Sequence, residues 1–285
     1  MNPELAPTLP ADMPDLWRDA LGQIHQPAGP APRIVSLVPS LTELICDLGL
    51  TEALVGRTGF CIHPRELLKH IPKVGGTKDV KLDVVRALEP THLIVNIDEN
   101  RRETVDALAA FVPNVIVTHP CVPADNLGVY RLFGAIFSRV EHAQALCLAL
   151  EEALAEAERA RQALPAEKVL YLIWREPWMT VSRATYIAAM LGAVGWNSLP
   201  ESHEPRYPVV DWADAAWRQA DRVLLSTEPY SFAERHLAEV EDLCQRPAML
   251  IDGEMVSWYG SRAVSGLRYL VQLRHALAGE AGVQA

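Results

Sequence analysis

The sequence predicts an α/β protein built as two lobes separated by a long helical stretch. Three observations carry that prediction. Near the start, two units each join a short β-branched apolar run to a helix through a loop of small and polar residues: residues 33–50, RIVSLVPSLTELICDLGL, and residues 74–96, VGGTKDVKLDVVRALEPTHLIVN. In the middle, residues 141–164 place Ala145, Leu146, Ala149, Leu150, Ala153 and Leu154 at helical spacing, with no breaker before Pro165. After that helix, buried-strand and helix patterns alternate again from Val169 onward.

The elements follow in order. Residues 1–32 form a Pro-rich lead with one short helix candidate over 15–24. Residues 33–125 read as a first α/β lobe, with strands over 34–38, 53–57, 92–96 and 114–118 and helices over 41–48, 82–88 and 102–111. In the first unit Pro39 ends the strand, Ser40 is the expected N-cap, and Gly49 closes the helix. Asn100 is the expected N-cap of the third helix, with Glu103 as its capping-box partner. Residues 126–164 are helical, as one helix over 127–137 and the long one after it. Residues 165–285 read as a second α/β lobe, with strands over 169–173, 222–226 and 248–251 and helices over 186–194, 212–220, 232–244 and 262–278. Strands alternating with helices imply parallel sheets with right-handed crossovers.

At 285 residues and 49% hydrophobic, the chain can bury one large or two medium cores. A net charge of −10 argues against nucleic acid or an anionic membrane as partner. No apolar run approaches the roughly 20 residues of a membrane span. The N-terminal stretch lacks a basic region and an apolar core, so the expected location is cytoplasmic, or periplasmic if an export signal has been removed. The five cysteines have no close pair and read as reduced thiols.

The strand-end loops are the candidate sites, because parallel sheets bind ligands at the carboxyl ends of their strands. Ser40 stands at the first such loop, where a helix start offers backbone N–H groups. The second loop offers Phe60, Cys61 and His63. Gly75, Gly76 and Thr77 allow close backbone approach and anion contacts. Glu99 and Arg101 stand at the third loop, and His119 and Cys121 follow the fourth strand. In the second lobe Trp174, Arg175, Glu176 and Trp178 follow one strand, and Asp252 through Arg262 follow another, bringing Trp258 and Tyr259. Tryptophans at two strand ends suit a stacking wall for a flat or large ligand. Arg175 and Arg262 can bind carboxylates or phosphates, or pair with neighbouring glutamates.

The wording of the first lobe also resembles a family. Ser36-Leu-Val-Pro-Ser-Leu-Thr-Glu43, then Val55-Gly-Arg-Thr58, then Pro72-Lys-Val-Gly-Gly-Thr77, then residues 82–96 are similar to the N-terminal lobe of class III solute-binding proteins. The resemblance is strongest to the vitamin B12-binding and ferric-siderophore-binding branch, the helical-backbone metal receptors. It implies two Rossmann-like lobes joined by a long rigid α-helix, with a ligand cleft between them. It implies a non-catalytic protein of the ABC-transporter type that binds cobalamin or another corrinoid or metal chelate. The Trp wall also admits haem or a siderophore. The resemblance places Trp258 at the pocket. The B12 branch carries a tryptophan near the position of Thr77, which this chain lacks. Docking on an ABC permease falls by resemblance on Asp83 in the first lobe; in the second the matching position is Ala213, with Asp211 and Asp214 beside it, so the expected pair is Asp83 and Asp214.

Two metal readings stand beside the chelate reading. Cys61, His63, His119 and Cys121 would make a soft metal site if they converge. His63, His119, Glu176 and Asp252 follow the order used by relatives that bind bare zinc, manganese or iron, which would make the chain a cytosolic transition-metal binding protein. No nucleophile elbow, P-loop or zinc-protease motif is present, so an enzyme is not expected.

Overall fold

The computed structural model describes residues 14–283. The chain divides into two compact units, the first running to His119 and including Leu127–Cys147, the second comprising Pro120–Asn126 and Leu148–Ala285.

The first unit is a four-stranded parallel sheet in the order β2-β1-β3-β4, with β1 at Ile34–Ser36, β2 at Leu54–Arg57, β3 at His92–Asn96 and β4 at Asn114–Thr118. Its helices are α1 (Pro39–Asp47), α2 (Leu82–Ala87) and α3 (Arg102–Ala109). The strands are apolar on both faces because helices cover both faces of a parallel sheet. Val35, Leu93, Val95 and Val117 pack with Val74, Val85, Leu108 and Val112 on one side.

Two expected caps are corrected. α1 starts two residues early, at Pro39, and its N-cap is Val38, so Ser40 lies inside the first turn. Proline at the first helical position has no N–H to leave unpaired, which favours the earlier start. α3 is capped by Arg101 without a side-chain bond, and Asn100 is used elsewhere.

The expected helix over 15–24 is not formed either. A short 3-10 turn at Pro14–Trp17 gives way to a clip, bridged between Arg18 and Ile24. Asp19 turns the chain by accepting from the N–H groups of Leu21 and Gln23, and Gly22 takes a φ of +81°. The clip covers the edge of β4: Ala20 N–H donates to Val117 O, and Val117 N–H to Asp19. An unpaired edge is a liability, and this segment closes it.

Helices α4 (Asn126–Ile136) and α5 (Val140–Ala163) follow, and the division between units falls within α5. A Cβ on Gly134 would stand 2.5 Å from Ala143 Cβ, so glycine permits the close approach of these helices.

The second unit holds β5 (Glu167–Trp174), β6 (Met179–Thr180), β7 (Trp196–Leu199), β8 (Arg222–Ser226) and β9 (Ala248–Ile251). β7, β8 and β9 run parallel to the central ladder, and only β6 pairs antiparallel. Helices are α6 (Tyr186–Ala193), α7 (Leu237–Cys244), α8 (Gly253–Ser257) and α9 (Arg262–Val283). Strands β6 and β7 were not expected, and the expected helix over 212–220 is a 3-10 turn at Ala215–Gln219 capped by Asp214. Leu170, Leu172, Val223 and Leu225 pack against Trp217, Phe232 and Val240.

At the amino ends of these strands, buried Arg274 of α9 donates to Glu167 at 2.6 Å and to the carbonyls of Val194 and Pro165. Glu167 also accepts from Trp196 and Arg222, each at 3.1 Å. Burial would raise its pKa, but the bonds from Arg222, Arg274 and Trp196 outweigh it and hold the carboxyl below its usual range.

Candidate functional site

In the first unit the loops after the four strands are stitched to one another. Gly59 N–H donates to Gly75 O at 2.7 Å, and Gly76 N–H to Asp79 O at 2.9 Å. Gly75 holds a φ of +113°, and a Cβ there would stand 2.3 Å from Asp79 O, so only glycine fits this turn. Asn100 is the central tie. Its Oδ1 accepts from Asn96 N–H at 2.9 Å, and its Nδ2 donates to Thr77 O at 3.1 Å and Leu37 O at 3.4 Å. One amide thus links the ends of β1 and β3 to the Gly-Gly-Thr loop. The sequence reading missed this role, because a cap and a cross-loop tie look alike in one dimension.

Phe60 is 63% exposed, and its ring edge lies 3.3 Å from where a Gly76 Cβ would be, so it rests across the Gly76 backbone. Thr77 is half-buried beside it and Glu99 is half-buried on the next loop. Cys61 is corrected as a ligand contact. It has no exposed surface, and its thiol is held by Thr42 Oγ1 at 3.0 Å and Thr58 Oγ1 at 3.1 Å. Burial pushes that thiol's pKa up, the opposite of what a metal ligand needs. Arg57, also buried, fixes the loop from below through the carbonyls of Thr58, Cys61 and Leu68. His119 Nε2 lies 3.4 Å from Asp98 Oδ2, which joins the third and fourth loops. His63 is half-buried and Ser40 is buried.

In the second unit the expected tryptophans belong to a larger aromatic cluster. Trp174 ends β5, is 41% exposed, and meets Tyr230 edge-on at 5.7 Å. Trp178 is packed rather than presented: it stacks on Phe232 at 5.9 Å and 9°, with Trp212 edge-on at 5.7 Å. Tyr230 and Phe232 lie 4.6 Å apart, and His236 touches both. Arg175 pairs with Glu239 at 2.9 Å and Glu176 at 3.1 Å, so its charge is met within the unit. Tyr230, Phe232 and Trp212 were not singled out from the sequence. The signal was Tyr230-Ser-Phe232 just after β8, at the same sheet end as Trp174.

The residues after β9 build a support rather than an exposed wall. Trp258 and Tyr259 are 8% and 7% exposed. Trp258 Nε1 donates to Glu228 Oε1 at 2.7 Å, as does Ser257 Oγ at 2.9 Å. Arg262 lies 4.6 Å over the Trp258 ring and donates to Glu254 at 2.5 Å. Tyr259 meets Tyr186 edge-on, and Tyr186 OH receives Asn126 Nδ2. Glu228, Asp252 and Glu254 line a depression of about 530 Å³ together with Thr227 and Ser231. Burial, and then the like charges of Glu254 and Asp252, push the Glu228 carboxyl up despite bonds from Ser257 and Trp258.

The metal expectations find little in this arrangement. Asp252 is the N-cap of α8, accepting from Glu254 and Met255 N–H. Glu176 is exposed beside Arg175, and Cys121 N–H is bonded to Asp125. Among the described residues, no three His, Cys, Asp or Glu side chains gather to hold a metal ion.

Both units are α/β folds with parallel strands whose carboxyl ends carry aromatic side chains. Residues 34–249 match the profile of the periplasmic binding protein family, and the chain belongs to that family. The structure is similar to the periplasmic vitamin B12 binding protein BtuF of Vibrio cholerae, with a TM-score of 0.75 at 15% identity over 87% of this chain and 98% of that one. It is also similar to the periplasmic heme-binding protein RhuT from Roseiflexus sp. RS-1, with a TM-score of 0.73 at 22% identity over 86% and 98%. A periplasmic heme binding protein from Pseudomonas aeruginosa gives 0.71 at 22% identity over 85% and 91%. At these identities the likeness is one of fold. No curated protein sequence matches this chain. No described helix is long and apolar enough to cross a membrane.

Proposed function

We propose that this chain is a non-catalytic binding protein of the ABC-transporter solute-binding type, and that its ligand is a bulky planar metal chelate, cobalamin or another corrinoid, or haem. The observation that carries this reading is the exposure of aromatic rings at the strand ends of both units, Phe60 in the first and Trp174 in the second. Large apolar side chains are ordinarily buried, and an exposed aromatic braced from behind is a stacking surface. Ile62 and Ile97, on the loops after β2 and β3, are exposed as well. Two of the similar structures are a vitamin B12 binding protein and a heme-binding protein, which supports this ligand class. Asp83, exposed in the first turn of α2, and Asp214, exposed at its 3-10 turn, are the proposed contacts to an ABC permease.

The test is a titration with cyanocobalamin, haemin and Zn²⁺, followed by absorbance and tryptophan fluorescence. One chelate is expected to saturate at one equivalent. Phe60→Ala and Trp174→Ala are each expected to weaken it about tenfold, the scale of one lost aromatic contact, with little change in melting temperature. Silence with both chelates overturns the proposal. Zn²⁺ binding that disappears in His63→Ala and His119→Ala would replace it with a bare-metal reading.

A further inference from the structure

Around the start of α1 the polar side chains are partnered, with one exception. Thr42 Oγ1 bonds Val38 O and Ser36 Oγ, each at 2.9 Å. Ser36 Oγ reaches Val38 O, and Thr58 Oγ1 meets the Cys61 thiol. Ser40, only 2% exposed, keeps its hydroxyl buried without a hydrogen-bond partner. A buried hydroxyl in that state is costly, so its retention needs an explanation.

Its position supplies one. Ser40 is the second residue of a nine-residue helix whose N-cap, Val38, contributes no side-chain acceptor, and whose first residue is proline. The N–H groups of Ser40 and Leu41 therefore lack a side-chain cap, and no acidic residue occupies the first turn. Helical side chains lean toward the amino end, which sets the Ser40 hydroxyl beside those N–H groups at the positive end of the helix dipole. The spot follows the carboxyl end of β1, on the sheet edge that carries Phe60 and Thr77.

We propose that the start of α1, through Ser40 Oγ and the N–H groups of Ser40 and Leu41, receives an anionic oxygen group borne by the ligand, a carboxylate or a phosphate. This deepens the chelate-binding reading and rests on it. Haem carries carboxylates and cobalamin a phosphate, so both candidate ligands have an arm of this chemistry. The hydroxyl is enclosed, so its cover moves aside as the arm enters. Asn100 bonds both Leu37 O and Thr77 O, which brings the 75–81 loop beside this spot.

The experiment compares haemin with its dimethyl ester, and cobalamin with cobinamide, which lacks the phosphate, on the wild-type chain and on Ser40→Ala. For the chelate that binds, the acidic form is expected to bind about tenfold tighter, the scale of a charge-assisted hydrogen bond. Ser40→Ala is expected to shrink that preference while leaving the neutral form's affinity in place. Equal affinity for both forms overturns this inference and leaves the chelate reading standing. In parallel, inorganic phosphate is titrated into isotope-labelled protein, with saturable shifts expected at the Ser40 and Leu41 amides. If no chelate binds, the functional reading falls and the phosphate titration decides alone, absence of shifts being the overturning result. A trapped water at Ser40 would give neither the preference nor the shifts, and would equally overturn the proposal.

Discussion

Replacing Asn100 separates its structural tie from the cap that the sequence suggests. In Asn100→Ala the buried Asn96 N–H loses its acceptor, and Thr77 O loses a donor at 3.1 Å. The Leu37 bond, at 3.4 Å, adds little. One stranded buried donor and one lost neutral bond together cost about 2 to 3 kcal/mol. Urea unfolding followed by circular dichroism reads that loss. Hydrogen exchange should show the 75–81 loop losing protection ahead of the rest of the first unit.

Asn100→Asp sharpens the test. The new carboxylate still accepts from Asn96 N–H, but its second oxygen faces two carbonyls where an amide donated. The neutral acid can donate there and the carboxylate cannot, so the folded pKa of the new group rises above the ordinary value of about 3.9. A group whose folded pKa is raised contributes stability below its unfolded pKa and loses it as pH rises through the folded one. Asn100→Asp should therefore approach wild-type stability near pH 4 and fall to the alanine level or below at pH 7. A variant equally stable at both pH values, or an alanine variant that loses under about 0.5 kcal/mol, would refute the cross-loop tie.

Three further variants test the second unit. Arg274→Ala removes a buried cation that bonds Glu167 and two carbonyls, and should cost about 3 kcal/mol in urea unfolding, toward the low end for a broken buried pair because Glu167 keeps Arg222. The Glu167 carboxyl is held low, so it adds stability above its unfolded pKa, lost as pH falls through about 4.3 and below; Arg274→Ala should flatten that acid limb. Glu228 is held high, so its burial costs stability as pH rises above about 4.3; Glu228→Gln, which keeps an acceptor for Trp258, should match or exceed wild type at pH 7 in thermal melts, and a marked loss would contradict the repulsion from Asp252 and Glu254. Trp258→Phe keeps the ring beneath Arg262 but drops the bond to Glu228, which should cost about 1 kcal/mol and weaken ligand binding less than Trp174→Ala does.

The two α/β units were legible because β-branched runs of four or five residues, followed by small loops and 3.6-period stripes, have few other solutions. β3 and β4 fall on the expected residues for that reason. β7 was missed because Trp196-Asn-Ser-Leu199 carries no β-branched residue, and it becomes a strand only by pairing beside Glu167–Leu170. The 15–24 segment has helical spacing, but Asp19 finds better use as an acceptor for its own turn and for the edge of β4. Placement at strand ends was likewise legible, and exposure was not. Cys61 and Phe60 are neighbours in the sequence with opposite fates, 0% and 63% exposed, because Thr42 and Thr58 hold the thiol inward while Gly76 leaves no side chain to cover the ring.

The same distinction sorts the aromatic residues of the second unit by what each can do. Trp178 and Trp258 spend their surface on neighbours, one stacked on Phe232 and the other bonded to Glu228. Trp174 keeps two-fifths of its surface exposed, yet it is not loose, because Tyr230 meets its ring and is itself braced by Phe232 and His236. A ring held from behind loses little side-chain freedom when a flat ligand stacks on its face, so more of the contact energy appears as affinity. Phe60 gains the same advantage by another route, lying on bare glycine backbone instead of on other rings. Trp178 bears on Trp174 only through Phe232 and Tyr230, and a sequence reading that counts aromatics at strand ends does not separate the exposed ring from the packed ones.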